Sequence, residues 1–215
     1  MRETSAKESL LLEAGWYRPQ PWVPAVESSD FLIEEKAMVE LELEKTYLAK
    51  YLPHNLLTLR SEVISDVYIP ATAEHAMLRL RHKGDTYCIT KKVPVSGTDS
   101  SRQHEHTIDL SVQEYEALAS CSAKKFVKRR YFTEFNGHSA EVDVYQEDLA
   151  GLVVIDFEFP SDEAMQQFSP PDICLADVTQ DALIAGGKLA GKTYEDIRQE
   201  LEAYKYQPLG QAVKE

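Results

Sequence analysis

The chain has 215 residues, enough for one domain with an extension or for two small domains. Hydrophobic residues make up 43% of it and charged residues 27%, a balance typical of a globular protein and too apolar for wholesale disorder. The net charge of −13 argues against general nucleic-acid binding, which requires a basic surface. It does not exclude a small anionic ligand, because a locally basic cleft can form in an acidic protein.

Cysteine usage and hydropathy bear on the compartment. Cys88, Cys121 and Cys174 are too few and too irregularly spaced to predict a disulfide framework or a zinc site. Free thiols are typical of a reducing compartment, so we expect a cytoplasmic protein. No apolar run reaches the roughly 18 residues of a membrane-spanning helix and the N-terminus lacks a signal pattern, so no membrane partner is expected.

The periodicity of apolar residues divides the chain into three parts. Residues 1–35 carry Trp16 and Trp22 among several prolines and show neither helical nor strand period, which predicts an irregular N-terminal extension. Residues 36–205 have the patterns of a folded domain. Residues 206–215 are predicted to form a C-terminal tail.

The folded domain is dominated by period-2 alternation, which predicts about seven or eight β-strands. The alternating stretches are residues 38–48, 76–82, 86–93, 103–110, 125–135, 139–146 and 152–159. Asn136-Gly137 predicts a tight hairpin between two of them. Capping signals predict helices that begin after Ser111, Ser161 and Thr193.

The polar faces of these strands carry doublets of like charge. The doublets are Glu42 with Glu44, Arg79 with Arg81, Lys128 with Arg130, Glu141 with Asp143, and Asp156 with Glu158. Alternation alone is compatible with a sheet whose polar side simply faces solvent. However, solvent-exposed faces usually mix Ser, Thr, Gln and Lys, and the opposite faces here are strongly apolar. These two features favour a closed barrel with a charged interior.

A charged interior of this kind suits a phosphate ligand with a divalent metal. Arginine and lysine on several walls can hold phosphate oxygens, and arginine can do so with two parallel hydrogen bonds. Carboxylates on other walls can bind Mg²⁺ or Mn²⁺, which prefer oxygen ligands and bridge to phosphates.

Six segments carry a resemblance to a known family. They are ELEKTYLAKYLP (42–53), LRLR (78–81), YCITKK (87–92), KRRY (128–131), EVDVYQEDLAGLVVIDFEFPS (141–161) and DVTQD (177–181). In order and spacing, these segments resemble the CYTH, or triphosphate tunnel metalloenzyme, family over residues 38–205. The resemblance implies an α+β, mostly β fold, in which an eight-stranded antiparallel β-barrel forms the triphosphate tunnel and helices pack outside it.

The resemblance also implies an activity. We expect a divalent-metal-dependent hydrolase of a linear triphosphate, with inorganic triphosphate as the first candidate and nucleoside or thiamine triphosphate as others. A class IV-like adenylate cyclase and a non-catalytic polyphosphate- or nucleotide-binding protein are the alternatives, and an acidic β-domain for protein contacts is a further one. A small anionic substrate is the expected partner, nucleic acid is not, and a homodimer is left open.

Position by position, the resemblance implies roles for the charged residues. The substrate-binding bases would be Arg79, Arg81, Lys91, Lys128 and Arg130. The metal ligands would be Glu42, Glu44 and Glu158, with Glu141, Asp143 and Asp156 as further tunnel acids. The catalytic set would be Glu42, Glu44, Glu158 and Lys91. Glu105 lies near another family acid.

One position departs from the family signature. Thr46 stands where the signature has a lysine, and Lys45, one position earlier, is predicted by alternation to face outward. Because the family's lysine is associated with the reacting end of the phosphate, this departure bears on hydrolysis and favours the binding-protein alternative. It leaves the predicted fold and anion binding unaffected, since five basic residues match.

Overall fold

The computed structural model describes residues 40–210, and this part of the chain is mostly antiparallel β-sheet. Its strands are β1 (Glu40–Ala49), β2 (Ser61–Ile69), β3 (Leu78–Lys83), β4 (Thr86–Pro94), β5 (Arg102–Asp109), β6 (Lys125–Phe135), β7 (His138–Tyr145), β8 (Val153–Glu158) and β9 (Cys174–Asp177). Its α-helices are α1 (Val112–Ala119), α2 (Asp162–Gln167), α3 (Gly186–Leu189) and α4 (Tyr194–Glu202). Single 3₁₀ turns lie at Leu56–Thr58, Glu147–Leu149 and Ala182–Ile184. The predicted extension, residues 1–35, lies outside the described residues.

Eight of the strands close into a barrel. The sheet runs in the order β5-β4-β3-β2-β6-β7-β8-β1, and a further pairing between β1 and β5 closes the circle. β1 does this because its first half pairs with β5 (Glu42 opposite Gln103) and its second half with β8 (Thr46 opposite Asp156). The short β9 extends the sheet beside the end of β1. The predicted eight-stranded antiparallel barrel is confirmed.

Local signals in the sequence position these strands and helices. Asn136 and Gly137 both have positive φ, as a tight hairpin between β6 and β7 requires. Ser111, Ser161 and Thr193 each accept a hydrogen bond from the backbone N–H three residues later and so begin α1, α2 and α4. The predicted hairpin and the three predicted helix starts are therefore confirmed.

Two strands were not predicted. β2 has apolar residues on both faces, with Ile64 buried beside Asp66 in the interior row and Val63 and Val67 in the other row, which hides the alternation. β9 has only four residues and is too short to show a period. The omission of β2 matters because this strand contributes Asp66 to the interior.

The outer face of the barrel is covered on one side. Side chains of β1, β7 and β8, such as Val142, Ile155 and Phe157, are fully buried against Met165 and Phe168 in and beside α2. This apolar outer layer leaves the charged faces of the same strands pointing into the lumen. Among residues 40–210, no helix is long and apolar enough to cross a membrane.

One end of the lumen is filled by a plug of apolar residues. Tyr68, Phe126 and Tyr145 pack ring against ring, with centroids 5.9 Å and 5.1 Å apart, and lie in one buried cluster with Ile184 and Leu189. The charged residues lie between this plug and the opposite end, so within residues 40–210 a ligand can reach them only from that opposite end, which we call the mouth.

Candidate active site

Charged side chains from all eight barrel strands line the lumen between the plug and the mouth. All five predicted doublets point inward. Lys83 and Glu62 lie in the same inward rows and pair with each other at 3.2 Å. Apart from that pair, the described lumen cations are Arg79, Arg81, Lys92, Lys128 and Arg130. The lumen carboxylates are Glu42, Glu44, Asp66, Glu105, Glu141, Asp143, Asp156 and Glu158. Because eight carboxylates face five cations, the lumen carries an excess of negative charge when every group is ionised.

The lysine of β4 that lies in the lumen is Lys92, and the predicted placement of Lys91 there is wrong. Lys92 lies opposite Glu105 of β5, whereas Lys91 lies opposite His106 and is exposed. The physical reason is the strict period of two along a strand, because Lys91 shares the outer face with Ile89. The two adjacent lysines point to opposite sides of the barrel wall.

The first ion pair in the lumen joins β2 to β3. Asp66 is fully buried and accepts two hydrogen bonds from Arg81, from Nε at 2.8 Å and from Nη2 at 2.7 Å. Burial alone would raise the pKa of Asp66, but the Arg81 guanidinium outweighs burial and holds the pKa below its ordinary value. Arg81 is therefore bound at two points to a permanent negative charge.

A second group of charges centres on Asp143. Its two oxygens accept hydrogen bonds from Arg130 Nε and Nη2, both at 2.7 Å, and Lys128 Nζ also bonds to it. Arg130 Nη1 reaches Glu141, and Nη2 lies 3.4 Å from Asp156. Burial would raise the pKa of Asp143, but the two cations outweigh it and hold the pKa far below its ordinary value.

The third group lies where β1 meets β5. Lys92 Nζ forms an ion pair with Glu42 and lies 3.8 Å from Glu44 and 3.6 Å from Glu105. Burial lowers the pKa of Lys92, but Glu44 and Glu42 outweigh burial and raise it, so the ammonium stays charged. Burial raises the pKa of Glu42 to about 7 even though Lys92 opposes the shift, so this carboxyl is only partly ionised near neutral pH.

Arg79 is the lumen cation with the weakest attachment. Its nearest carboxylate oxygen belongs to Glu105, 3.9 Å from Nη2. Its Nε is buried and has no hydrogen-bond partner among residues 40–210. A buried guanidinium donor without a partner is unfavourable, and an anion in the lumen would satisfy it.

Known proteins share this barrel. No family model matches the sequence. An inorganic triphosphatase of Nitrosomonas europaea is 30% identical over 142 residues, which cover 65% of this chain and 90% of that protein. The chain belongs to the CYTH, or triphosphate tunnel metalloenzyme, family.

Solved structures agree with this assignment. A crystal structure of an inorganic triphosphatase matches with a TM-score of 0.52 and 27% identity, over 71% of this chain and 95% of that one. A second crystal structure of that same protein, there described as hypothetical, matches with a TM-score of 0.53 and 27% identity, over 71% of this chain and 99% of that one. The barrel of this CYTH protein thus has a counterpart in an experimental structure.

Several lumen acids are neighbours and have the chemistry that a divalent metal needs. Glu44 lies opposite Glu158 in the sheet, and Thr46 lies opposite Asp156, so oxygen donors from β1 and β8 are neighbours. Burial raises the pKa of Asp156 to about 8, and Glu44 adds to the shift. Burial also raises the pKa of Glu158, and Glu141 and Glu44 add to it. Carboxylates that repel one another in this way fit a divalent cation.

Asp143 fits this metal role poorly, since Lys128 and Arg130 occupy both of its oxygens. Among residues 40–210, no three carboxyl, imidazole or thiol groups are already grouped as a metal site. The carboxylates that remain as candidate metal ligands are Glu42, Glu44, Asp156 and Glu158. Glu141, which is bonded to Arg130, also stays a predicted ligand.

Thr46, which the resemblance aligns with the signature lysine, joins two of these acids. Its hydroxyl oxygen lies 3.1 Å from Glu44 Oε1 and 2.9 Å from Asp156 Oδ1. A hydroxyl has one proton, so it donates to only one of the two carboxylates at a time. Lys45 lies outside the barrel, as alternation predicts, with Nζ 5.8 Å from the centre of the Phe168 ring.

Two lumen residues were missed by the sequence reasoning. Asp66 lies on the strand that was not predicted, and its Arg81 partner is 15 residues away, so the pair is visible only once the register is known. Lys92 was missed because its neighbour Lys91 was predicted in its place. The inward row of Arg79 and Arg81 on β3 indicates which residues of β4 face the lumen, and Lys92 is one of them. Glu105, predicted from the resemblance alone, does lie in the lumen.

Proposed function

We propose that this protein is a divalent-metal-dependent hydrolase of a linear triphosphate, with inorganic triphosphate as the first substrate to test. The observation that carries the proposal is the lumen itself. Arg79 and Lys92 both approach Glu105, at 3.9 Å and 3.6 Å, and these cations stand among carboxylates suited to Mg²⁺ or Mn²⁺. The activity of the Nitrosomonas relative supports the same reaction.

In this proposal Arg79 and Lys92 bind the phosphate oxygens. Arg79 has an unsatisfied buried Nε, and Lys92 can exchange a carboxylate for a phosphate because it lies near three acids. Hydrogen bonds between charged partners are the strong ones, and the guanidinium groups of arginine can bind a phosphate with two of them. These bases neutralise the charge that develops on the transferred phosphoryl group.

The acids have the complementary task. Glu42, Glu44, Asp156 and Glu158 would hold the metal, which when bound supplies further charge neutralisation and lowers the pKa of a bound water. Glu158 lies at the exposed end of β8, where it can accept a hydrogen bond from the attacking water and orient it. Thr46 keeps Glu44 and Asp156 in place through its hydroxyl.

The first test is phosphate release from inorganic triphosphate with Mg²⁺ and with Mn²⁺. Glu42→Gln/Glu44→Gln is the inactivating variant, and Glu195→Gln/Glu200→Gln, on the exposed face of α4, is the matched control. Metal-dependent release that only the first variant abolishes supports the proposal. Release that persists in the first variant would refute the assigned metal ligands.

The same assay separates the alternatives. Thr46 favours a non-catalytic triphosphate-binding protein, because it replaces a charged signature residue; that reading predicts calorimetric binding without phosphate release. A class IV-like cyclase predicts cyclic AMP and pyrophosphate from ATP. We further propose a cytoplasmic location, which the free thiols of Cys88, Cys121 and Cys174 support.

A further inference from the structure

The pairing of Asp66 with Arg81 divides the lumen cations into two classes. Asp66 lies directly opposite Arg81 in the β2–β3 register, is fully buried, and receives both Nε and Nη2 of the guanidinium. Arg79, two residues earlier on the same face of β3, has one distant carboxylate and a buried Nε without a partner in the described part of the chain. The two arginines of this doublet therefore differ, because Arg81 is held by a buried carboxylate and Arg79 is not.

Arg81 cannot leave its partner without a large cost. If the guanidinium turned to a phosphate, Asp66 would stay behind as an unpaired carboxylate with no access to solvent. An uncompensated buried charge is far more unfavourable than the loss of an exposed ion pair. A phosphate arriving beside the pair would also face the negative charge of Asp66, because that charge is fixed next to the guanidinium.

We infer that Asp66 is an affinity-determining positioning residue: it neutralises Arg81 and removes it from the phosphate-binding set, so that triphosphate binding depends on Arg79 and Lys92 and on added divalent cation. This inference rests on the proposed function, because it concerns the same site. It overturns the equal roles that the sequence pattern suggests for Arg79 and Arg81. The pair holds β2 to β3 and fixes the wall from which Arg79 projects.

The pair lowers the number of lumen cations that are free to bind a phosphate. Once Arg81 is neutralised by Asp66, and Lys128 and Arg130 share Asp143, few cations remain to attract a polyanion. The protein should therefore bind triphosphate weakly without a divalent cation. Releasing Arg81 from Asp66 should raise the affinity and reduce the dependence on metal.

Three variants test the inference by calorimetry with inorganic triphosphate, with and without Mg²⁺, beside phosphate release. In Asp66→Asn/Arg81→Gln the pair becomes two neutral amides that can still hydrogen-bond, and we expect an affinity within about threefold of the wild type. Arg79→Gln, which removes the uncommitted cation, should lower the affinity about tenfold or more. Asp66→Asn alone should raise the affinity in the absence of Mg²⁺ by roughly tenfold.

The results separate two failures. If the double variant loses as much affinity as Arg79→Gln, Arg81 binds the phosphate directly and the inference is overturned, even when the wild type hydrolyses triphosphate. If the wild type binds triphosphate without hydrolysing it, the proposed reaction fails while the inference is judged by the same affinities. If Asp66→Asn does not fold, as thermal unfolding would show, the comparison of the double variant with Arg79→Gln still decides. No binding by the wild type overturns both.

Discussion

Removing the charge of Asp143 should destabilise the barrel. Its carboxylate is 1% exposed and takes hydrogen bonds from Lys128 and Arg130. Asp143→Asn keeps the size of the side chain but leaves two buried cations with too little counter-charge. Removing one partner of a buried ion pair costs about 3–5 kcal/mol of the free energy of unfolding. That is a large share of the roughly 5–15 kcal/mol by which proteins of this kind are stable.

Urea unfolding at neutral pH measures this loss. We expect a lower midpoint with an unchanged slope, because the native and unfolded surfaces stay the same. Asp172→Asn is the matched control. Its carboxylate also bonds to a lysine, Lys50, at 2.7 Å, but the Asp172 and Lys50 side chains are 77% and 47% exposed, so the unfolding midpoint should stay close to that of the wild type. Equal losses in the two variants would refute the argument from burial.

The ion pairs of Asp143 should also make the stability of the protein depend on pH. The pKa of Asp143 is held below its ordinary value in the folded protein, so the folded state binds its proton less readily than the unfolded chain does. The stabilisation is therefore fully present above the ordinary aspartate pKa of about 4 and decreases as the pH falls below it. Asp143→Asn should flatten this part of the stability profile, and an unchanged profile would count against the ion pair.

Three more outcomes are expected. Lys92→Met should lower kcat/KM for triphosphate about 100-fold or more, whereas Lys91→Met should leave it unchanged; similar losses would contradict the assignment of faces. Since burial raises the pKa of Glu42 to about 7, protons compete with metal near neutral pH, and Mn²⁺ affinity measured by calorimetry should rise between about pH 6 and 8 rather than stay constant. Gly186→Ala would place a Cβ against the Tyr68 hydroxyl, so the melting temperature should fall. A melting temperature equal to that of the wild type would show that the plug is not closely packed.

The sequence predicted the parts of this structure that depend on local pattern. Alternation identified seven strands, and doublets such as Glu42 with Glu44 pointed to a charged interior, because side-chain direction in a strand is fixed by parity. β2 was missed because Ile64 puts an apolar residue into the polar row of that strand. The parity of a single strand says which residues share a face, but the neighbouring strands decide which face is inside.

The candidate site was harder to predict than the fold, for a related reason. The pairs that set the charge of the lumen, Asp66 with Arg81 and Asp143 with Lys128 and Arg130, join residues on different strands. The Asn136-Gly137 turn sets the register of β6 and β7 and so places Arg130 opposite Asp143, whereas the pairing of Asp66 with Arg81 involves β2, the strand that alternation missed. Residue type alone therefore made all five predicted bases look equivalent, whereas the structure distinguishes those with a fixed partner from Arg79.

The apolar plug limits the traffic of ligands. Since Tyr68, Phe126 and Tyr145 fill one end of the barrel that residues 40–210 form, a ligand must enter and leave this barrel by its other end. A long polyphosphate cannot be threaded through and shortened step by step, because its cleaved end has no exit ahead of it. Turnover on such a chain would be distributive, with release after each cleavage. Orthophosphate leaving the lumen would pass through the same mouth by which the next substrate molecule enters.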